Sequence, residues 1–254
     1  MTQMGTVTTS LITFATLFGG ALFGMFLGSQ LPEHHLNEDS KRIVNLGAGI
    51  IGTMAALVLG LLVASAKGNY DTRNNEVLDV TAKIALLDRL LAQYGPDSRP
   101  TRERWQQTVE RAVERLWPDD SSAAGHFGND SQGADTLLGM LEDLPAANEF
   151  QRTMKSQALS IAMTIAQTRW LMYAQEESSV SRPLVVIVVF WLAINFMSFG
   201  LFAPRNATVI VTLFLCAAAV SGAIFLILEM YNPFGGLIHI SSTPMRNVIA
   251  QMGK

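Results

Sequence analysis

The sequence predicts an all-α membrane protein: four transmembrane helices arranged two plus two, with a helical cytoplasmic domain between the second and third. Three observations predict it. Four uninterrupted apolar stretches carry no Asp, Glu, Lys, Arg or His, and each is about as long as the roughly 20 residues a spanning helix needs. Only 15% of the 254 residues are charged, where an average soluble domain has about a quarter. The long polar middle repeats its apolar residues at helical steps and shows no strand-like alternation.

The four spans are 6–29, 43–66, 183–203 and 207–228. The first lacks a basic leader and is too long for the apolar core of a signal peptide, so it is expected to stay. Between the first two lies LPEHHLNEDSKR, Leu31 to Arg42. Pro32 ends the first helix, and Asn37 is placed to cap a helix whose first turn, Glu38-Asp39, suits the helix dipole. The same segment carries Glu33, His34 and His35. Adjacent histidines seldom reach one ion together, so no metal site is assigned, and pH sensing by the His34-His35 pair stays open.

The second span has two stripes at helical spacing. Small or polar residues recur at Asn45, Gly49, Gly52, Ala56 and Gly60, and large apolar ones at Leu46, Ile50, Met54, Leu57 and Leu61. The small stripe suits close helix packing. In an oligomer the large stripe would line a central axis as a hydrophobic neck; the plainer alternative has it facing lipid or a bundle core.

The middle domain, 67–182, begins with a helix to Tyr94 whose inner face is Val77, Val80, Ile84, Leu87 and Leu91, stopped by Gly95-Pro96. Only Lys67-Gly68-Asn69 separates it from the second span, so the two helices are expected to run on. Asp88 and Arg89 lie in the apolar-rich LLDRLLAQYGP; adjacent helical residues do not face each other, so each needs a partner elsewhere or lies on a solvated face. A second helix is expected from a Thr101 cap to Leu116, buried through Trp105, Val109, Ala112, Val113 and Leu116, with Pro118 ending it. The Asp-, Ser- and Gly-rich segment 119–133 reads as a mobile loop, followed by a short helix over 136–144. Ala147 to Gln175 reads as a long helix with Phe150, Met154, Ala158, Ile161, Ile165 and Met172 along one face.

Pro204-Arg205-Asn206 makes a tight hairpin between the last two spans (183–228 in all), and a tail, 229–254, follows. In the tail Leu237, Ile238 and Ile240 are expected to dock on the middle helices, and Ser-Ser-Thr-Pro to cap a final helix near Pro244. Four spans put both termini and the middle domain on one side. Lys67, Arg73, Lys83, Arg169, Arg182 and Arg246 against Lys41, Arg42 and Arg205 favour the cytoplasm for that side.

Charge and motif exclude other classes. A net charge of −3 makes no case for nucleic acid. The lone Cys216 sits in an apolar run. No phosphate-binding loop, nucleophile elbow or zinc helix is present, so an enzyme is not expected and no cofactor is called for. Ionisable groups inside the spans, usual in coupled transporters, are missing.

Three segments carry a resemblance: LPEHHLNEDSKRIVNLGAGIIGTMAALVLGLLVASAKGNYD, IALLDRLLAQYGP and PFGGLIHISSTPMR, in that order, are similar to a bacterial bestrophin-like membrane family whose function is not established. Its name points to the bestrophins, pentameric ion channels with two spans, cytosolic helices and two more spans. The resemblance implies a homo-oligomer, taken as a pentamer, in the lipid bilayer with small ions as permeant partners, and a neck at Ile50, Met54 and Leu57, Ile50 lying nearest the outside. Eukaryotic bestrophins follow an Asn-Pro-Phe-Gly turn with calcium-binding acids. Here Asn232-Pro233-Phe234-Gly235 is followed by Gly-Leu-Ile-His-Ile, with no carboxylate, so no calcium site is expected. The competing reading is a non-conducting sensor or scaffold that binds a cytoplasmic partner through the 147–175 helix.

Overall fold

The computed structural model describes residues 3–32, 37–117, 131–176 and 182–252. Among these, eight α-helices and one 3₁₀ turn account for the regular structure, with no strand: α1 Gln3–Gln30, α2 Glu38–Tyr94, the 3₁₀ turn Pro96–Ser98, α3 Arg99–Leu116, α4 Ser131–Glu142, α5 Glu149–Glu176, α6 Arg182–Phe202, α7 Ala207–Met230 and α8 Thr243–Ile249. Four of them, α1, α2, α6 and α7, are long and apolar enough to cross a membrane. The expected all-helical membrane fold is therefore what forms. The chain divides into two compact units, Met1–Asn69 with Ser179–Asn232, and Tyr70–Ser178 with Pro233–Lys254.

The first unit holds its helices together with small residues. Lipid tails are as apolar as leucine, so helices in a bilayer gain most from close van der Waals approach. A Cβ added to Gly24 or Gly28 of α1 would collide with the Met197 or Leu201 carbonyl of α6, and one added to Gly200 would collide with that of Ala21. Around this seam Leu17, Ala21, Met25, Phe196, Leu213 and Ala217 form a buried cluster. The Ser221 hydroxyl donates to the Ser10 carbonyl at 2.6 Å, tying α7 to α1. At the hairpin, the Asn206 side chain accepts from Val209 N at 2.9 Å and caps α7, while Arg205 Nη2 donates to the Met25 carbonyl near the end of α1 at 2.8 Å. At the start of α2, Asn37 Oδ1 accepts from Ser40 N at 2.8 Å, the cap expected there.

The second unit is built as a water-soluble helical domain is. Val77, Ile84, Leu87 and Leu91 of α2, the inner face expected of it, pack with Trp105, Val109 and Val113 of α3. Leu137 and Leu141 of α4, Ala158 and Met172 of α5, and Ile240, Met245 and Met252 of the tail complete this core. α2 ends at Gly95, whose φ of 115° favours glycine. It is 57 residues long and continuous through Lys67-Gly68-Asn69.

Several local expectations change. α3 begins at Arg99, after Ser98, and Thr101 is buried within its first turn instead of capping it. Ser98 turns its hydroxyl back onto the Leu91 and Gly95 carbonyls. Ala112 is exposed, and Trp117 takes the core position instead. Phe150 is exposed in the first turn of α5, just after the Asn148 cap, and the inward face of α5 starts one turn later at Met154. The tail helix starts at Thr243, whose N–H donates to Ser241 Oγ at 3.2 Å; Ser242 makes no side-chain cap. Glu33, His34 and His35 of the first connection, Pro118 and most of the 119–133 segment lie outside the described residues.

Candidate functional site: an apolar ridge and a tail turn

Between residues 43 and 66, α2 presents three faces. At about 100° per residue, Ala48, Ala55, Leu62 and Ala66 fall together, and they are the buried positions. Leu62 and Ala66 pack with Val188 of α6 and Ile227 of α7. The large stripe lies about 160° around the helix from them. It is open along its length: Leu46, Ile50, Met54, Leu57 and Leu61 are all exposed, with Ile50 at 63%, Met54 at 46% and Leu57 at 76%. Such an unbroken row of bulky side chains, none of them polar, can exclude water from a narrow axis or meet acyl chains.

The third face is the small stripe. Gly49 and Gly60 have open space where a Cβ would go, and Ala56 is exposed. Gly52 differs from the other three, since a Cβ there would stand 3.4 Å from Asn195 Oδ1 of α6. Asn195 is buried and donates through Nδ2 to the Trp191 carbonyl at 3.1 Å. The signal for this contact in the sequence is a lone amide in one apolar helix and a glycine in another.

The turn after α7 is tied down at every step. Asn232 N donates to the Glu229 carbonyl at 2.9 Å, and Glu229 is fully buried. Farther on, Ile240 N donates to the Pro233 carbonyl at 2.8 Å, closing the loop that contains Phe234 and Gly235. Trp117 Nε1 donates to the Ile240 carbonyl at 2.7 Å, and its ring meets Phe234 edge to face at 5.7 Å. Tyr70 donates to the His239 carbonyl. Ile240 is thus the docked residue of the expected apolar trio. Ile238 is half-buried and Leu237 is exposed at 72%.

Asp88 finds its partner on α3. Arg102 Nε and Nη2 donate to its two carboxylate oxygens at 2.7 and 2.8 Å. The hydrogen bonds to Asp88 hold the guanidinium above its ordinary pKa. Burial raises the Tyr94 phenol likewise, and its hydroxyl donates to the Pro145 carbonyl at 2.7 Å. Among the described residues no three His, Cys, Asp or Glu side chains stand close enough together to hold a metal ion.

These features define a polytopic helical membrane protein with an exposed apolar ridge on its second span. The bestrophin-like domain matches residues 15–245, nearly the whole chain, and the protein belongs to the bestrophin-like family. That membership groups it with channel-like membrane proteins. No curated protein and no solved structure matches it.

Proposed function

We propose that the protein is an oligomeric ion channel, a pentamer, whose pore is lined by the apolar half of α2. The observation that carries this reading is the ridge from Leu46 to Leu61, exposed along its length on the face opposite the contacts of α2 within the chain. Ile50, Met54 and Leu57 form the neck, with Ile50 nearest the outer side. Gly49, Ala56 and Gly60 leave room for the second span of a neighbouring copy, while Gly52 sets α2 against Asn195. The middle helices and both termini face the cytoplasm of a bacterial inner membrane.

The neck carries no charge, so it gates by wetting and drying and does not itself choose the sign of the ion. The tail turn at Asn232, Pro233, Phe234 and Gly235 is held by backbone hydrogen bonds and aromatic packing, and Gly236 to Ile240 after it carry no carboxylate. Micromolar calcium is therefore expected to leave function unchanged, and calorimetric titration checks this.

The test is ion flux through purified protein in liposomes. Leu57→Ala, at the most exposed neck position, is expected to raise the flux, and Leu57→Asp to hold the neck wet. Well-folded oligomers that pass no ions under varied pH, voltage and salt would remove the channel reading and favour a scaffold.

A further inference from the structure

The outer face of α5 near its C-terminal end has no role in the channel reading. Met154, Ile161, Ile165 and Met172 of α5 face the core. On the opposite side Met163 and Trp170 are half exposed or more, and Leu171 and Tyr173, flanking that face on its two edges, are 51% and 43% exposed. Trp170 and Tyr173 meet edge to face at 6.0 Å. An indole and a phenol with one apolar and one polar end suit a bilayer–water boundary, where both residue types are enriched.

One hydrogen bond and one covalent connection tie this end of α5 to chain that leads directly into the apolar spans. Arg73 Nη1 donates to the Met172 carbonyl at 3.0 Å. Arg73 lies on α2 two helical turns beyond Ala66, about 10 Å along a continuous helix. From its other side, α5 ends at Glu176 and α6 starts at Arg182, so the chain between them reaches at most about 20 Å. Met163 stands roughly 10 Å back from Trp170 along α5 and so is farther from both constraints.

We propose that Trp170, Leu171 and Tyr173 form a lipid-contacting surface, seated in the headgroup–acyl boundary of the leaflet from which α2 emerges. This surface binds phospholipid, not a protein, and fixes the depth at which α5 sits. It depends only on the spans crossing a bilayer and holds whether or not the protein conducts.

The test uses the full chain in nanodiscs of phosphatidylethanolamine and phosphatidylglycerol. Cys216, itself exposed, is replaced by Ser, and single cysteines at Tyr173, Trp170 and Met163 receive an environment-sensitive fluorophore. Lipids spin-labelled close to the headgroup are expected to quench positions 173 and 170 at least about threefold more than position 163, since interfacial burial is only about 5–10 Å deep. With native side chains, the wild-type minus Trp170→Phe emission difference isolates Trp170. It is expected to be blue-shifted in nanodiscs and quenched by the same lipids. Quenching by aqueous iodide at all three positions would place the face in water and overturn the proposal. Shielding from both lipid and iodide, with energy transfer between labelled copies, would assign the face to a second copy and overturn it as well.

Discussion

The two units are made of the same element, the α-helix, and are held together by opposite means. In the unit with the apolar spans, backbone meets backbone: Gly24 and Gly28 let α6 approach, and Gly200 does the same for α1. In the other unit, large side chains meet large side chains around Leu87, Trp105 and Trp117, and an ion pair closes the edge at Asp88 and Arg102. The difference follows from the solvent. Water rewards burial of apolar area at about 25 cal/mol per Å². Acyl chains give no such reward, so the spans compete on closeness of fit.

The sharpest way to break that contrast is Trp117→Ala. It removes a core ring and the donor that holds the Ile240 carbonyl. The loss should be about 3–5 kcal/mol. It is read as early unfolding of the second unit by hydrogen exchange, with the spans still protected. Arg102→Ala comes next. It leaves the buried Asp88 carboxylate without its fork and should cost about 2–3 kcal/mol, less than for a fully buried pair because the Arg102 side chain is 20% exposed.

Gly200→Ala tests the other unit. Its new methyl strikes the Ala21 carbonyl, and about 1–3 kcal/mol should be lost, seen as a lower unfolding midpoint in detergent. Gly60→Ala sharpens the comparison by its smallness. Its Cβ enters open space within the chain, so a lone protomer should change by less than about 0.5 kcal/mol. A larger loss, confined to the oligomer in cross-linking or native mass measurements, would show a neighbouring helix packed there.

The spans were legible because charge-free runs of that length have few other uses, and the inner face of α2 because Val77, Ile84, Leu87 and Leu91 keep a strict helical step. Asp88 was legible as a residue that either pairs with another element or lies on a solvated face, and not as the partner of Arg102. Pairing across elements depends on which faces meet, and one sequence carries no direct record of that. Thr101 misled because it resembles a cap, whereas Ser98 and the preceding Gly95 turn had already started the helix. The ridge was visible as a stripe. Its openness needed the positions of Val188 and Ile227, which show which side of α2 is taken.

The tail's place in the second unit has a consequence for biosynthesis. Ile240, Met245 and Met252 complete a core whose other parts are α2 to α5. The ribosome makes those parts first, then α6 and α7, and only afterwards the residues that finish the core. At about 5–20 residues per second, this leaves the nascent domain open for several seconds while the last two spans are threaded into the bilayer. A chain stalled before Ile240 would display an unfinished apolar cleft to the chaperones of the cell.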